Sequence, residues 1–153
     1  MPSVDLRALA ALLLCIAAST GSADCAPLVW RGQLLPDPLG GARGDPSRGA
    51  AVAGDRNRGD CTICHLMPLP EREFHGTVGP ALDSVGDRLT VPELRARIAA
   101  PRRFVPETVM PEYCTTGGRH RVDPAYAGQP ILSAGEIEDL VAWLATLRAP
   151  PAP

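Results

Sequence analysis

The run Cys61-Thr62-Ile63-Cys64-His65 decides the fold of this chain. In an exported protein, two cysteines separated by two residues and followed by histidine are typical of covalent c-type haem attachment. The two thiols can add to the vinyl groups while the neighbouring imidazole reaches the iron. Cys61 and Cys64 are therefore the predicted attachment residues and His65 is the predicted proximal ligand. The motif predicts one covalently bound haem c.

Two other kinds of site also use a C-x-x-C pair. A structural zinc site needs about four Cys or His ligands with a second pair at matched spacing, and the sequence has no second C-x-x-C. A thioredoxin-like dithiol lies at a strand-to-helix junction in a βαβ pattern, whereas the residues around 61–65 are rich in Pro, Gly and Arg. Haem is favoured over both, and a dithiol protein without haem is kept as an alternative.

Residues 1–23 are typical of a secretory signal peptide, with Arg7 before an uncharged apolar run over 8–18 and small residues at 21–23. That run is shorter than the about 20 residues of a membrane span, and no other stretch approaches this length. We therefore expect a soluble periplasmic protein without a membrane span. The expected domains are a signal peptide (1–23), an N-terminal extension (24–44), a cytochrome c domain (45–149) and a Pro-rich tail (150–153).

The net charge of the chain limits the kinds of partner that it could bind. The chain has 15 basic and 17 acidic side chains, a net charge of −2, so nothing indicates binding to nucleic acid.

With Cys15 in the signal peptide and two cysteines on the haem, Cys25 and Cys114 remain. An even remainder in an oxidising compartment is compatible with a disulfide. Two free thiols or a cross-link to a partner fit equally, and the sequence does not choose among them.

Three helices are predicted, joined by long irregular segments. The first covers 45–55, where a cap residue precedes a proline. The second begins with a capping box at Thr90 and ends at Pro101. The last covers 133–148, with a capping box followed by apolar residues at helical spacing. Trp143 on this last helix is expected to pack over the small residues of the first.

A chain of short helices and long loops buries little apolar surface unless it wraps a cofactor. A porphyrin would supply the missing core, so the predicted fold is mainly α, a class I cytochrome c fold around one covalent haem. The extension over 26–44 contains Pro and Gly without periodicity. Its apolar residues, Trp30 among them, indicate that it lies along a surface, either of this domain or of a partner.

The iron would need a second axial ligand on the face of the ring opposite His65. Met67 is two residues away, too close along the chain to reach that face. Met110, followed by proline in the loop before the last helix, occupies the place of the Met ligand in small cytochromes. Met110 is the predicted distal ligand, and a His/Met pair raises the reduction potential. The alternative is that Met110 is an ordinary core side chain that does not bind the iron. The donors compared are Met67, His75, Met110, Cys114 and His120.

Short motifs spread over 45–147 are more specific than the features shared by all cytochromes c. They are Glu73-Phe74-His75-Gly76-Thr77-Val78-Gly79-Pro80, Gly86-Asp87-Arg88-Leu89-Thr90, Thr108-Val109-Met110-Pro111, and the stretches 128–133 and 138–144. Together with the haem motif, these residues resemble SoxX, the small cytochrome c subunit of the SoxAX complex of bacterial thiosulfate oxidation. Cys114 is not part of the pattern associated with that family.

The resemblance implies roles for residues and partners. The Pro80 carbonyl would accept a hydrogen bond from the His65 ring and fix its orientation. A SoxA-like dihaem or monohaem cytochrome would join thiosulfate oxidatively to a cysteine of the carrier SoxYZ. This chain would pass the electrons to a downstream cytochrome, as a subunit of an L-cysteine S-thiosulfotransferase without a catalytic nucleophile of its own. The alternative is a free-standing monohaem cytochrome c shuttle unrelated to sulfur oxidation, which would purify as a stable monomer.

Overall fold

The computed structural model describes residues 25 and 27–150. Within these residues the protein is helical, without a β-strand beyond one isolated bridge. No helix in this part of the chain has the length and apolar character needed to cross a membrane. The predicted signal peptide and residues 151–153 lie outside the described residues. The α-helices are α1 (Pro46–Gly54), α2 (Val85–Arg88), α3 (Val91–Ala99) and α4 (Ala134–Leu144).

The three longer helices begin where the sequence predicts, because their caps are local. The Asp45 carboxylate accepts hydrogen bonds from the first backbone N–H groups of α1, at 2.8 and 3.0 Å. The N–H groups of Thr90 and Ser133 each donate, at 2.8 Å, to a glutamate carboxylate three residues later. The predicted starts of α1, α3 and α4 are therefore confirmed.

The end of the last helix differs from the prediction. Helix α4 ends at Leu144, about one turn before the expected end near residue 148. The Thr146 hydroxyl donates to the Trp143 carbonyl at 2.6 Å, and the N–H groups of Thr146 and Leu147 bond carbonyls three residues back. The last turn is therefore tighter than an α-helix, although Leu147 stays buried in the core. The four-residue helix α2 was not predicted, because so short a segment has no periodicity.

Helices α1 and α4 cross at close range and form the centre of the fold. Trp143 of α4 lies against Gly49 of α1, as predicted: a Cβ atom at Gly49 would lie 2.8 Å from the Trp143 Cβ atom and would overlap the Asp139 carbonyl oxygen. Arg48 donates to the Asp139 carboxylate at 2.7 and 2.8 Å beside the crossing. A small residue at position 49 is therefore what allows this contact.

The N-terminal extension packs on its own domain. Leu35 and Leu39 are buried in the core, and the Arg103 guanidinium stacks over the Trp30 ring at 4.3 Å. Further 3-10 helices span Leu39–Gly41, Cys61–Ile63, Pro101–Arg103 and Pro124–Tyr126. Of the two surfaces that the sequence left open, the structure selects this domain's surface for the residues from Trp30 to Leu39.

A buried ion pair attaches the extension to the helices. Arg95 of α3 and Glu138 of α4 have side chains 3% and 5% exposed and are joined at 2.6 and 2.8 Å. Arg95 also donates to the Leu35 carbonyl at 2.6 Å, and Glu138 accepts from the Leu39 N–H at 3.0 Å. The pair satisfies backbone groups that would otherwise be buried without partners, so three segments of the chain are linked at one place.

Candidate haem site

A cavity of about 510 Å³ opens beside the C-x-x-C-H motif. It lies between that motif, the segment from Val78 to Leu89, helix α3, the Met110 segment and helix α4. Most of its lining is aliphatic or aromatic, including Leu82, Val85, Leu94, Ile98, Phe104 and Leu140. Such a lining favours an apolar ligand with a few polar anchors.

The motif itself forms one tight turn at the cavity wall. Residues Cys61–Ile63 make a 3-10 helix, and the His65 N–H donates to the Cys61 carbonyl at 2.9 Å. Cys61 and Cys64 are both unpaired cysteines and both line the cavity. Burial raises the pKa of the Cys61 thiol to about 11, so this thiol is neutral at physiological pH. The turn presents two thiols to the same apolar space.

An ionic cluster supports the start of this turn. Asp60 has a left-handed backbone with φ +32°, which is strained for a residue with a side chain. Its carboxylate accepts a hydrogen bond from the Thr62 hydroxyl at 2.6 Å and from Arg72 at 2.9 Å. Arg72 also donates to the Thr62 hydroxyl oxygen at 3.0 Å. This cluster was not predicted from the sequence, because nothing local indicates that Arg72 folds back onto the motif.

The His65 ring is fixed by two neighbours on the chain. Its Nδ1 lies 2.7 Å from the Pro80 carbonyl oxygen, which leaves Nε2 available to a ligand in the cavity. The Gly79 N–H donates to the Cys64 carbonyl at 2.8 Å and holds the 79–80 segment against the motif. A Cβ atom at Gly79 would lie only 2.6 Å from the His65 Nδ1, so the ring packs directly on the glycine.

Met110 lines the same cavity as His65. The other donors weighed from the sequence do not line it: Met67 is buried in the core, and Cys114 forms a disulfide with Cys25, with Cα atoms 5.5 Å apart. His75 and His120 also lie outside the lining. The structure therefore brings Cys61, Cys64, His65, Pro80 and Met110 to one cavity, and it pairs the two cysteines whose state the sequence left open.

Few charges face the cavity. Among the described residues, the charged side chains in its lining are Asp60, Arg88 and Arg97, and the Arg97 guanidinium stacks on the Phe104 ring at 4.6 Å. Burial raises the pKa of the Tyr113 hydroxyl well above its ordinary value, so the group is a neutral donor, 3.4 Å from the Gly59 carbonyl oxygen. The two arginines sit where anionic groups of a ligand could be neutralised.

The chemistry of the donor set fits a covalently held haem. Two thiols, an imidazole with one nitrogen left for a metal, and a thioether surround one apolar cavity. In the part of the chain that the structure describes, no group of three or more His, Cys, Asp or Glu side chains could hold a bare metal ion.

No protein-family model and no curated protein sequence matches the chain significantly. The structure is similar to the crystal structure of SoxXA from P. pantotrophus, with a TM-score of 0.75 and 33% sequence identity. The alignment covers 84% of this chain and 99% of the matched chain.

The short helices around one apolar cavity define a protein with a cytochrome c-like fold, and the predicted fold class is confirmed. At this identity and coverage, the comparison also shows the family. The chain belongs to the SoxX family, as the resemblance of its motifs indicated.

Proposed function

We propose that this chain is a periplasmic c-type cytochrome, the electron-transfer subunit of a SoxAX-type complex in thiosulfate oxidation. The observation that carries the proposal is the convergence of Cys61, Cys64, His65 and Met110 on one apolar cavity of about 510 Å³. Membership in the SoxX family supports the sulfur-oxidising context. The proposal assigns the cytochrome domain to 45–149, preceded by a signal peptide (1–23) and an N-terminal extension (24–44).

In this proposal each site residue has one task. Cys61 and Cys64 would hold one haem c through thioether bonds, and His65 and Met110 would bind its iron. The Pro80 carbonyl, 2.7 Å from the His65 Nδ1, keeps the ring in one orientation. The bound haem supplies one-electron redox chemistry, and a His/Met ligand pair favours the reduced state. The aliphatic lining would limit the access of water to the haem.

The partners follow from the family and from the surface beside the motif. Ile63 and Phe74 are 67% and 80% exposed, and the Gly76 N–H bonds the Thr62 carbonyl at 2.8 Å, which holds the Phe74 segment close to Ile63. An exposed apolar patch beside a redox centre is suited to a protein partner. We assign it to a SoxA-like cytochrome, which joins thiosulfate to the SoxYZ carrier, while a downstream cytochrome receives the electrons.

The experiment uses the full chain, exported in a bacterium that attaches c-type haem, with and without the SoxA-like subunit of the same source. We expect a pyridine haemochrome spectrum of a c-type haem, co-purification of the two subunits, and haem reduction that requires both thiosulfate and SoxYZ. The Cys61→Ser/Cys64→Ser variant is the control for covalent attachment.

Each alternative has its own result in this experiment. A haem-bearing chain that purifies as a stable monomer and never associates with the SoxA-like subunit would be a free-standing electron carrier. A periplasmic chain without any haemochrome would be a dithiol protein. Either result would overturn the proposed function.

A further inference from the structure

The Cys25–Cys114 disulfide lies close to the proposed distal ligand along the chain. Cys114 follows Met110 by four residues, and both half-cystines are buried. The bond joins residues separated by 89 positions, so it connects the very start of the extension to the loop that carries Met110. Its place in the fold therefore suggests a role at the site as well as in stability.

Apart from Arg103, which contacts Trp30 and Gly32 of the extension, the loop that carries Met110 has few other attachments. Between Pro101 and Leu132, the buried side chains among those described are Tyr113 and Cys114. Val109, directly before Met110, is 77% exposed. Tyr113 bonds the fold through its carbonyl, which accepts from the Leu132 N–H at 3.1 Å, and through its hydroxyl. The disulfide is thus the one covalent attachment of the described part of this loop.

The other end of the bond belongs to a segment that is itself fixed. The extension is held by the buried Leu35 and Leu39, by the Arg95–Glu138 ion pair and by the stacking of Arg103 on Trp30. A covalent link to such a segment limits how far the Met110 backbone can move from the cavity. Because tethering raises the local concentration of a group at its target, the link favours Met110 over competing ligands.

We propose that the Cys25–Cys114 disulfide is a positioning element that holds the Met110 thioether at the haem site. This inference rests on the proposed function, because it requires a haem whose distal ligand is Met110. Neither half-cystine lines the cavity, so the disulfide would act through the loop. Without the bond, the loop samples positions in which the thioether is away from the iron, and an added ligand then competes more successfully.

The test uses the haem-loaded full chain and its Cys25→Ser/Cys114→Ser variant, in which both thiols are removed so that neither can ligate or cross-link. Val141→Ala is the matched control, since it weakens the buried core of α4 outside the extension, the Met110 loop and the cavity lining. Two quantities are measured: binding of imidazole to the ferric protein, and amide hydrogen exchange of residues 108–116 compared with α1.

We expect the double variant to bind imidazole at least about tenfold more tightly than the wild type, equivalent to about 1.4 kcal/mol of weakened Met110 ligation. Exchange should accelerate in 108–116 more than in α1. Val141→Ala should lower stability without either selective effect. If the double variant does not fold, the same measurements are made on the Cys25→Ala/Cys114→Ala variant, whose apolar side chains suit these two buried positions.

Two results would overturn the inference. Imidazole affinity and loop exchange that change no more than in Val141→Ala would make the disulfide a general cross-link without a positioning role. A ferric spectrum that is unchanged in Met110→Ala would show that Met110 is not the ligand, and the inference would then fail together with that part of the proposed function. The two failures are distinguished because only the second appears in the Met110 variant.

Discussion

At the scale of single residues, His65 is the most closely constrained side chain of the candidate site. Its Nδ1 lies 2.7 Å from the Pro80 carbonyl oxygen, and its ring packs on the backbone of Gly79. Both neighbours belong to one short segment, so ring orientation and segment position depend on each other. A change that moves this segment should disturb the imidazole before it disturbs the fold.

Gly79→Ala tests this constraint. The added methyl group would lie 2.6 Å from the His65 Nδ1, so we expect the ring to rotate away from Pro80 and the yield of haem-loaded protein to fall. The matched control is Gly117→Ala, where a Cβ atom meets nothing within 4 Å. Haem content per protein, measured by the haemochrome, should fall only in the first variant. Equal haem content in both would contradict the argument.

Met110→Ala tests the proposed distal ligand. Loss of the thioether should leave the haem covalently attached but remove the iron–sulfur charge-transfer band of the ferric protein and lower the reduction potential. Met67→Leu is the control, because Met67 is buried in the core outside the cavity lining. Its spectrum and potential should match the wild type. An unchanged potential in Met110→Ala would mean that another residue ligates the iron.

At the scale of elements, the crossing of α1 and α4 depends on glycine at position 49. The Asp139 carbonyl and the Trp143 Cβ atom occupy the space that a side chain would need. Arg48 and Asp139 then close the edge of the contact with two hydrogen bonds. The distance between the two helices is therefore set by the residue type at position 49.

The same substitution at two helical glycines should have opposite effects. Gly49→Ala should destabilise the fold by roughly 1–3 kcal/mol because it forces the helices apart. Gly135→Ala, near the start of α4, meets nothing within 4 Å and should stabilise by about 0.5–1 kcal/mol through helix propensity. Denaturant unfolding of both variants measures the difference, and a Gly49→Ala protein as stable as the wild type would refute the close crossing.

At the scale of the whole molecule, several carboxylates couple stability to pH. Backbone N–H groups lower the pKa of Asp45, Asp87 and Glu93 below their usual values. Burial opposes the shift at Glu136, but hydrogen bonds from Arg58 and Ser133 outweigh it, and its pKa is also lowered. A carboxylate with a lowered folded-state pKa contributes stability above its unfolded pKa, and this contribution is lost as the pH falls through the folded value.

We therefore expect the free energy of unfolding to be nearly constant at neutral pH and to fall below about pH 4.5, the ordinary glutamate value, as these groups are protonated. Denaturant unfolding at a series of pH values measures the loss. The Glu93→Gln/Glu136→Gln variant replaces the titratable carboxylate of each of these two capping boxes with a neutral amide. It should be less stable at neutral pH and should lose less stability in acid. An acid dependence as steep as in the wild type would contradict this account.

The features that the sequence determined by itself are local. The starts of α1, α3 and α4 were predictable from the caps at Asp45, Thr90 and Ser133, because each capping hydrogen bond spans three residues or fewer. The haem motif and the family motifs indicated the fold and the family, which the structural comparison confirms. The interpretation of Met110 as a ligand remains a prediction, although the structure places it in the same cavity as His65.

The features that only the tertiary structure decided involve residues far apart in the chain. The even number of cysteines left the state of Cys25 and Cys114 open. The fold brings their Cα atoms to 5.5 Å and joins them in a disulfide. The sequence does not say which acidic residue pairs with Arg95. The fold buries Arg95 beside Glu138, and the two form an ion pair because a buried charge requires a partner. The early end of α4 and the position of the extension on the domain likewise depend on tertiary packing, which a local sequence pattern does not predict.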